Sequence, residues 1–130
     1  MTLHTFIEYI KYRWKAKGRH GTHSPFVYQL VESGLQRRGS QPLQQFLKNY
    51  FGDDLQLVAA PVEQWRRLAL PANNTAVVAI KNIHASWHST NEWNFLKNES
   101  NAMMSIDLFE YGLLLFRQDF LEKQHFVIKT

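Results

Sequence analysis

Thr75-Ala-Val-Val-Ala-Ile80 (TAVVAI) is a near-continuous run of small and β-branched apolar residues, opened by the turn Pro71-Ala-Asn-Asn74. A half-buried strand alternates polar and apolar residues, and this run does not. It suits a strand covered on both faces, as in a parallel sheet. Upstream, Leu55–Ala60 (LQLVAA) follows Gly52-Asp53-Asp54 and predicts a second short strand. Pro61 then opens a short helix with Val62, Trp65 and Leu68 on one side. Downstream, Ser89 and Glu92 form a capping-box pattern before a helix carrying Trp93 and Leu96. Met103–Phe109 and Leu113–Arg117 read as two strands across a tight turn containing Gly112, and His125–Lys129 (HFVIK) as a candidate last strand.

The first half has the helical period. Leu3, Phe6, Ile7, Ile10 and Trp14 put one apolar stripe on a helix from about Leu3 to Lys17, ended by Gly18 and Gly21. A second helix starts with Ser24 as N-cap and Pro25 at its first position, and buries Phe26, Val27, Leu30 and Val31 before Gly34. A third starts around Ser40-Gln41-Pro42, buries Leu43, Phe46, Leu47 and Tyr50, and stops at Gly52. Three helices followed by strand, helix, strand, helix and an antiparallel pair describe an α/β protein. The order implies a right-handed, mostly parallel layer to which the terminal hairpin adds an antiparallel edge.

The chain has 130 residues, 45% hydrophobic and 20% charged, enough apolar content for one folded core. Cysteine is absent, which excludes disulfides and thiolate metal sites within the chain and fits a reducing compartment. No apolar run reaches the roughly 18 residues of a membrane span, and Met1–Lys17 lacks the apolar stretch of a signal peptide. The expectation is a soluble, cytoplasmic protein without a membrane partner. The sequons at Asn73 and Asn98 carry no meaning in that setting.

The net charge of +4 is uneven: residues 1–40 hold seven Lys/Arg against Glu8 and Glu32, and residues 41–130 hold eight against nine acids. The excess comes mostly from Lys11, Arg13, Lys15, Lys17 and Arg19, interleaved with Tyr12 and Trp14. Such a segment can meet phosphates, nucleic acid or an acidic partner, with an affinity that falls steeply with salt. The other reading is a solvated helix face whose long stems cover apolar neighbours.

Two segments together resemble a known family. Arg19-His-Gly-Thr-His-Ser-Pro-Phe-Val-Tyr28, preceded by Tyr9-Ile-Lys-Tyr-Arg-Trp14, resembles the N-terminal helical signature of a family of bacterial class I S-adenosylmethionine-dependent methyltransferases. Val78-Ala-Ile-Lys-Asn-Ile-His-Ala-Ser86, Ser105-Ile-Asp-Leu-Phe109, Gly112-Leu-Leu-Leu-Phe-Arg117 and Gln124-His-Phe-Val-Ile128 resemble that family's C-terminal part. The resemblance covers residues 4–35 and 75–130, and makes His20, His23 and Ser24 a structural signature around the start of the second helix.

Two features of the family are missing. Its first strand ends in a Gly-rich loop that lets the backbone approach the cofactor, since a side chain there would block it. Nothing between Leu35 and Thr75 has that pattern, Gly39 and Gly52 being isolated. Relatives carry an acidic residue at the end of the strand corresponding to Thr75–Ile80, and here Lys81-Asn82-Ile83-His84 stands there. Lysine reverses the charge and removes an oxygen ligand for a hard cation. The middle of the fold therefore reads as excised, with Leu55–Leu70 as one surviving strand–helix unit.

Among single residues, His84 is the weak candidate for catalysis, read first as a hydrogen-bonded structural histidine and second as a general base. His84 and His88, like His20 and His23, have spacings that bring two imidazoles together, but zinc needs three or four converging ligands. No metal site is expected. Trp65, Trp87 and Trp93 read as core packing, or as an aromatic patch for a partner.

The combined expectation is a single domain over 1–130, helical through residue 52 and α/β from 53. Its sheet is a reduced, Rossmann-like mixed sheet of about four strands ending in an antiparallel hairpin. The resemblance implies a degenerate methyltransferase-like protein that binds no cofactor and acts as a non-catalytic subunit, regulator or scaffold. The runs LQLVAA and TAVVAI then leave an open sheet edge, which calls for a homodimer or a complex with a full-length relative. The alternatives are a subunit of an active methyltransferase and a phosphate or nucleic-acid binder.

Overall fold

The computed structural model describes residues 3–5, 7, 24–71, 73–120, 122–128 and 130. Lys11, Arg13, Lys15, Lys17, Arg19, His20 and His23 lie outside the described residues, as does most of the expected first helix, of which Leu3, His4, Thr5 and Ile7 are helical.

Helix α1 spans Pro25–Ser33 and starts as its sequence predicts: the Ser24 hydroxyl accepts from the Val27 N–H, and Pro25 occupies the first turn. Val27, Leu30 and Val31 form its buried stripe. Helix α2, Leu43–Phe51, buries Leu43, Phe46 and Leu47, whereas Tyr50, expected in the core, is 38% exposed. Gly34 lets the two helices approach, because a Cβ there would stand 2.6 Å from the Phe46 ring.

The rest forms one mixed sheet: β1 Leu55–Val58, β2 Val77–Lys81, β3 Met104–Asp107, β4 Tyr111–Leu115 and β5 Gln124–Val127, in the spatial order β1-β2-β4-β3-β5. A six-residue 3-10 helix, Val62–Arg67, follows β1, and helix α3, Trp87–Glu99, follows β2. The α/β class with helices ahead of a mixed sheet is as the sequence indicates. Three details differ. The described residues form five strands, because residues 124–127 pair in parallel with β3. The hairpin is not at the edge: β4 runs antiparallel between β2 and β3, and interrupts what would be a parallel layer. Gly112 is not in the turn but inside β4, opposite Ile80 and Asp107.

Gly112 is explained by packing. A Cβ at this position would lie 2.6 Å from the Trp93 ring of α3. That ring lies flush on the strand only because a glycine stands beneath it.

The period of TAVVAI follows from two cores on opposite faces. Val77 and Ala79 pack with Val27, Leu30, Leu47, Ile106 and Leu113 under α1 and α2. Val78 and Ile80 pack with Trp65, Trp93, Leu96 and Leu114 under α3 and the 3-10 helix. Each face is apolar because each is covered, and full burial of one such side chain is worth about 1.5–3 kcal/mol. β2 is therefore interior to the sheet and not an open edge; the outer strands are β1 and β5.

Helix α3 begins one turn earlier than expected. Ser86 is the N-cap, its hydroxyl accepting from Ser89 N–H while Ser89 Oγ accepts from Ser86 N–H. Ser89 is thus the third residue of the box, and Glu92 is paired instead with Arg66. Among the described residues no helix is long and apolar enough to cross a membrane.

Candidate functional site

Strands β1, β2, β3 and β5 point the same way, so their carboxyl ends share one rim of the sheet. In open α/β sheets that rim is where ligands are bound. Lys81 ends β2, Asp107 ends β3, and Tyr111 begins the antiparallel β4 between them.

His84 lies in the turn after β2, buried to 7% exposure. Its Nε2 is 2.7 Å from Asp107 Oδ2, and its Nδ1 is 3.0 Å from Thr90 Oγ1 on α3. Thr90 also donates to the Ile83 carbonyl at 3.2 Å. On its other side Thr90 meets His4 Nε2 at 2.9 Å. A buried chain of polar groups, His4–Thr90–His84–Asp107, so ties the N-terminal segment to α3 and to two strand ends. Thr5 adds to the tie, its hydroxyl donating to the His84 and Ala85 carbonyls at 3.2 and 3.3 Å.

The backbone around this chain is strained. Asn82 and Phe109 both have positive φ, 64° and 68°. Asparagine tolerates this region, whereas a bulky residue adopts it rarely. Phe109 is held there by its N–H, which donates to Asp107 Oδ1 at 2.8 Å, and its ring stacks on the His84 imidazole with centroids 5.4 Å apart. Asn82 N–H donates to the Glu110 carbonyl at 2.7 Å. Asp107 therefore has two tasks, one oxygen on the histidine and one on the turn.

Two cavities open on this rim and share Asn82. One of about 320 Å³ is lined by Thr5, Asn82, His84, Ala85, Phe109 and Glu110. The other, about 360 Å³, lies between β1 and β2, with Gln44, Leu57, Lys81 and Tyr111 in its wall. The Tyr111 hydroxyl donates to Gln44 Oε1 at 2.8 Å, and burial, with Glu110 second, raises its pKa above the ordinary tyrosine value.

The arrangement decides what His84 can do. Both ring nitrogens are at hydrogen-bond distance from oxygens of this chain, so taking a proton from a ligand requires giving up one of those bonds. Its geometry is that of a histidine that fixes other groups. His88 does not join it: it stands half exposed on α3, 3.8 Å from Glu92, whose carboxyl Arg66 holds below the usual range. Among the described residues no three His, Cys, Asp or Glu side chains gather as a metal site.

Of the residues singled out by sequence, Ser24 is the N-cap of α1, remote from this rim, and Trp65 and Trp93 are core residues. Trp87, expected in the core, is 56% exposed at the start of α3, its ring edge-on to His4 at 4.0 Å. Sequence reading missed Asp107, Thr90, His4 and Phe109. One signal was present: Asp107 is a lone acid closing an otherwise uncharged strand, Met104–Asp107. Comparison of the chain with family models, with curated proteins and with solved structures found no match.

Proposed function

We propose that the chain is a methyltransferase-like protein that lacks the cofactor-binding core and works by association, as a non-catalytic subunit, regulator or scaffold. The observation that carries this reading is the outer strand β1. Among the described residues it pairs only with β2, and it turns Gln56 and Leu57 to solvent. An uncovered strand of this kind is a template for another chain. The residues after β1 argue in the same direction. Ala59-Ala60-Pro61 leads into a 3-10 helix of six residues, with no glycine for close backbone approach. These residues do not fit S-adenosylmethionine as the resembled family's loop does.

The test is a thermal-shift titration with S-adenosylmethionine and S-adenosylhomocysteine, read beside light-scattering mass. A ligand bound by the native state alone must raise the melting temperature. No shift, with a mass above that of one chain, is the expected result; a saturable shift with either compound overturns the reading.

A second reading, a subunit of an active methyltransferase, draws on the cavity that brings Lys81, Asn82 and Tyr111 to the carboxyl ends of the strands. It requires methyl transfer that appears only when the chain is mixed with a relative.

A further inference from the structure

Building on the association reading, we infer that the partner of β1 is β1 of a second copy, paired antiparallel, so that two five-stranded sheets become one continuous sheet. The two outer strands of the sheet are not alike. β5 is guarded by charge where it begins: Glu122 and Lys123, both exposed, precede it, and the polar His125 is exposed within it. Such charges are what keeps a free edge from pairing. Residues 55–60, Leu-Gln-Leu-Val-Ala-Ala, carry no charge and no proline. Leu57, 38% exposed, is the large apolar side chain on that outer strand.

The acids that do flank β1 select the direction. Asp53 and Asp54 stand at its amino end, and Ala59 and Ala60 at its carboxyl end. Parallel pairing of two copies would align the acids with one another. Antiparallel pairing sets each acidic pair beside the neutral end of the other strand. Lys81 ends β2 next to that neutral end, since Val58 pairs with Ile80, and its side chain is exposed. Each copy thus offers a cation near the place where the other brings two carboxylates.

Symmetry restricts the register. A two-fold axis normal to the sheet keeps each face on its own side, and directly opposed residues of an antiparallel pair point to the same face. With the strand centred on the axis, which pairs the most residues, residue 56 then opposes 56 or residue 57 opposes 57; a one-residue slip would set one face against the other. In the first register Leu57 covers Leu55 of the other copy, and in the second it covers the other Leu57. Both satisfy the exposed leucine, and both bring the second copy to the mouth of the cavity lined by Leu57, Val58, Ala59, Ala60 and Lys81.

The test uses the full chain. Sedimentation over a concentration series should show wild type tending to twice 15.3 kDa. Leu57→Lys should remain at the single-chain mass and keep a cooperative melting curve, its position being open to solvent, with a midpoint lowered only by loss of the dimer's concentration-dependent stabilisation. Because the chain has no cysteine, single variants report the register. Gln56→Cys or Leu57→Cys, directly opposed across the axis, should form a disulfide-linked dimer on mild oxidation. His125→Cys on the other edge should not. Wild type at single-chain mass throughout overturns the inference. So does a dimer that survives Leu57→Lys while neither cysteine cross-links; in that case another surface joins the copies and the association reading stands. Binding of S-adenosylmethionine, by contrast, removes that reading without touching the dimer.

Discussion

His84 Nε2 and Asp107 Oδ2 meet at 2.7 Å although β2, which His84 follows, and β3, which Asp107 ends, are not neighbours. β4 lies between them, a span of about 10 Å at two strand spacings. The gap closes because His84 sits in the turn beyond β2, and Asp107 is the last residue of β3. The bond bridges the amino end of β4 and fixes the turn that starts it.

Asp107→Ala should therefore remove more than one contact. It leaves the buried His84 Nε2 and the Phe109 N–H without their carboxylate, and it frees a left-handed phenylalanine to relax. The expected loss is about 1–3 kcal/mol, the cost of leaving buried hydrogen-bonding groups without a partner. Denaturant unfolding measures it. A loss within a few tenths of wild type would mean the pair is not formed in solution.

Gly112→Ala should destabilise the fold by about 1–3 kcal/mol through overpacking, since its Cβ would meet the rigid Trp93 ring. Trp93→Leu should lower stability by itself and yet lessen the effect of Gly112→Ala. A double-mutant cycle on unfolding free energies tests that coupling; simple additivity would contradict the packing account.

Ser86→Ala should lower stability by about 1 kcal/mol, the usual value for loss of an N-cap side chain. Ser89→Ala should also destabilise, by losing the reciprocal bond to the Ser86 N–H. Thermal melts of both variants check the assignment. No effect at Ser86 would move the helix start back to Ser89.

Stability should fall on the acid side in part through His125. Burial first, and then the nearby charges of Lys97 and Lys123, lower its pKa below the ordinary 6.5. The unfolded chain then takes up the proton more readily than the folded one. The contribution is fully present above pH 6.5 and is lost as the pH falls through the lower folded value. The neutral ring keeps its contact with Ser105 Oγ at 2.7 Å. His125→Gln should flatten that part of a melting-temperature profile, and an unchanged profile would show that another group sets it.

What the sequence determined by itself was whatever depends on near neighbours along the chain. TAVVAI declares a doubly covered strand because its own residues are apolar on both faces, and Ser24-Pro25 declares a helix start because cap and first turn are adjacent. The mixed α/β class follows from the order of such elements. What only the tertiary structure decided was who stands beside whom. The hairpin enters the middle of the sheet because β4, apolar on both faces, must itself be covered, and that brings Asp107 within reach of His84. Gly112 reads as a turn residue until Trp93, 19 positions away, is seen to lie on it. Trp87 and Trp93 look alike in sequence, yet one is exposed and the other buried, because the phase of α3 is set at Ser86. Local chemistry fixes elements; the pairing of remote ones depends on burial that no single segment carries.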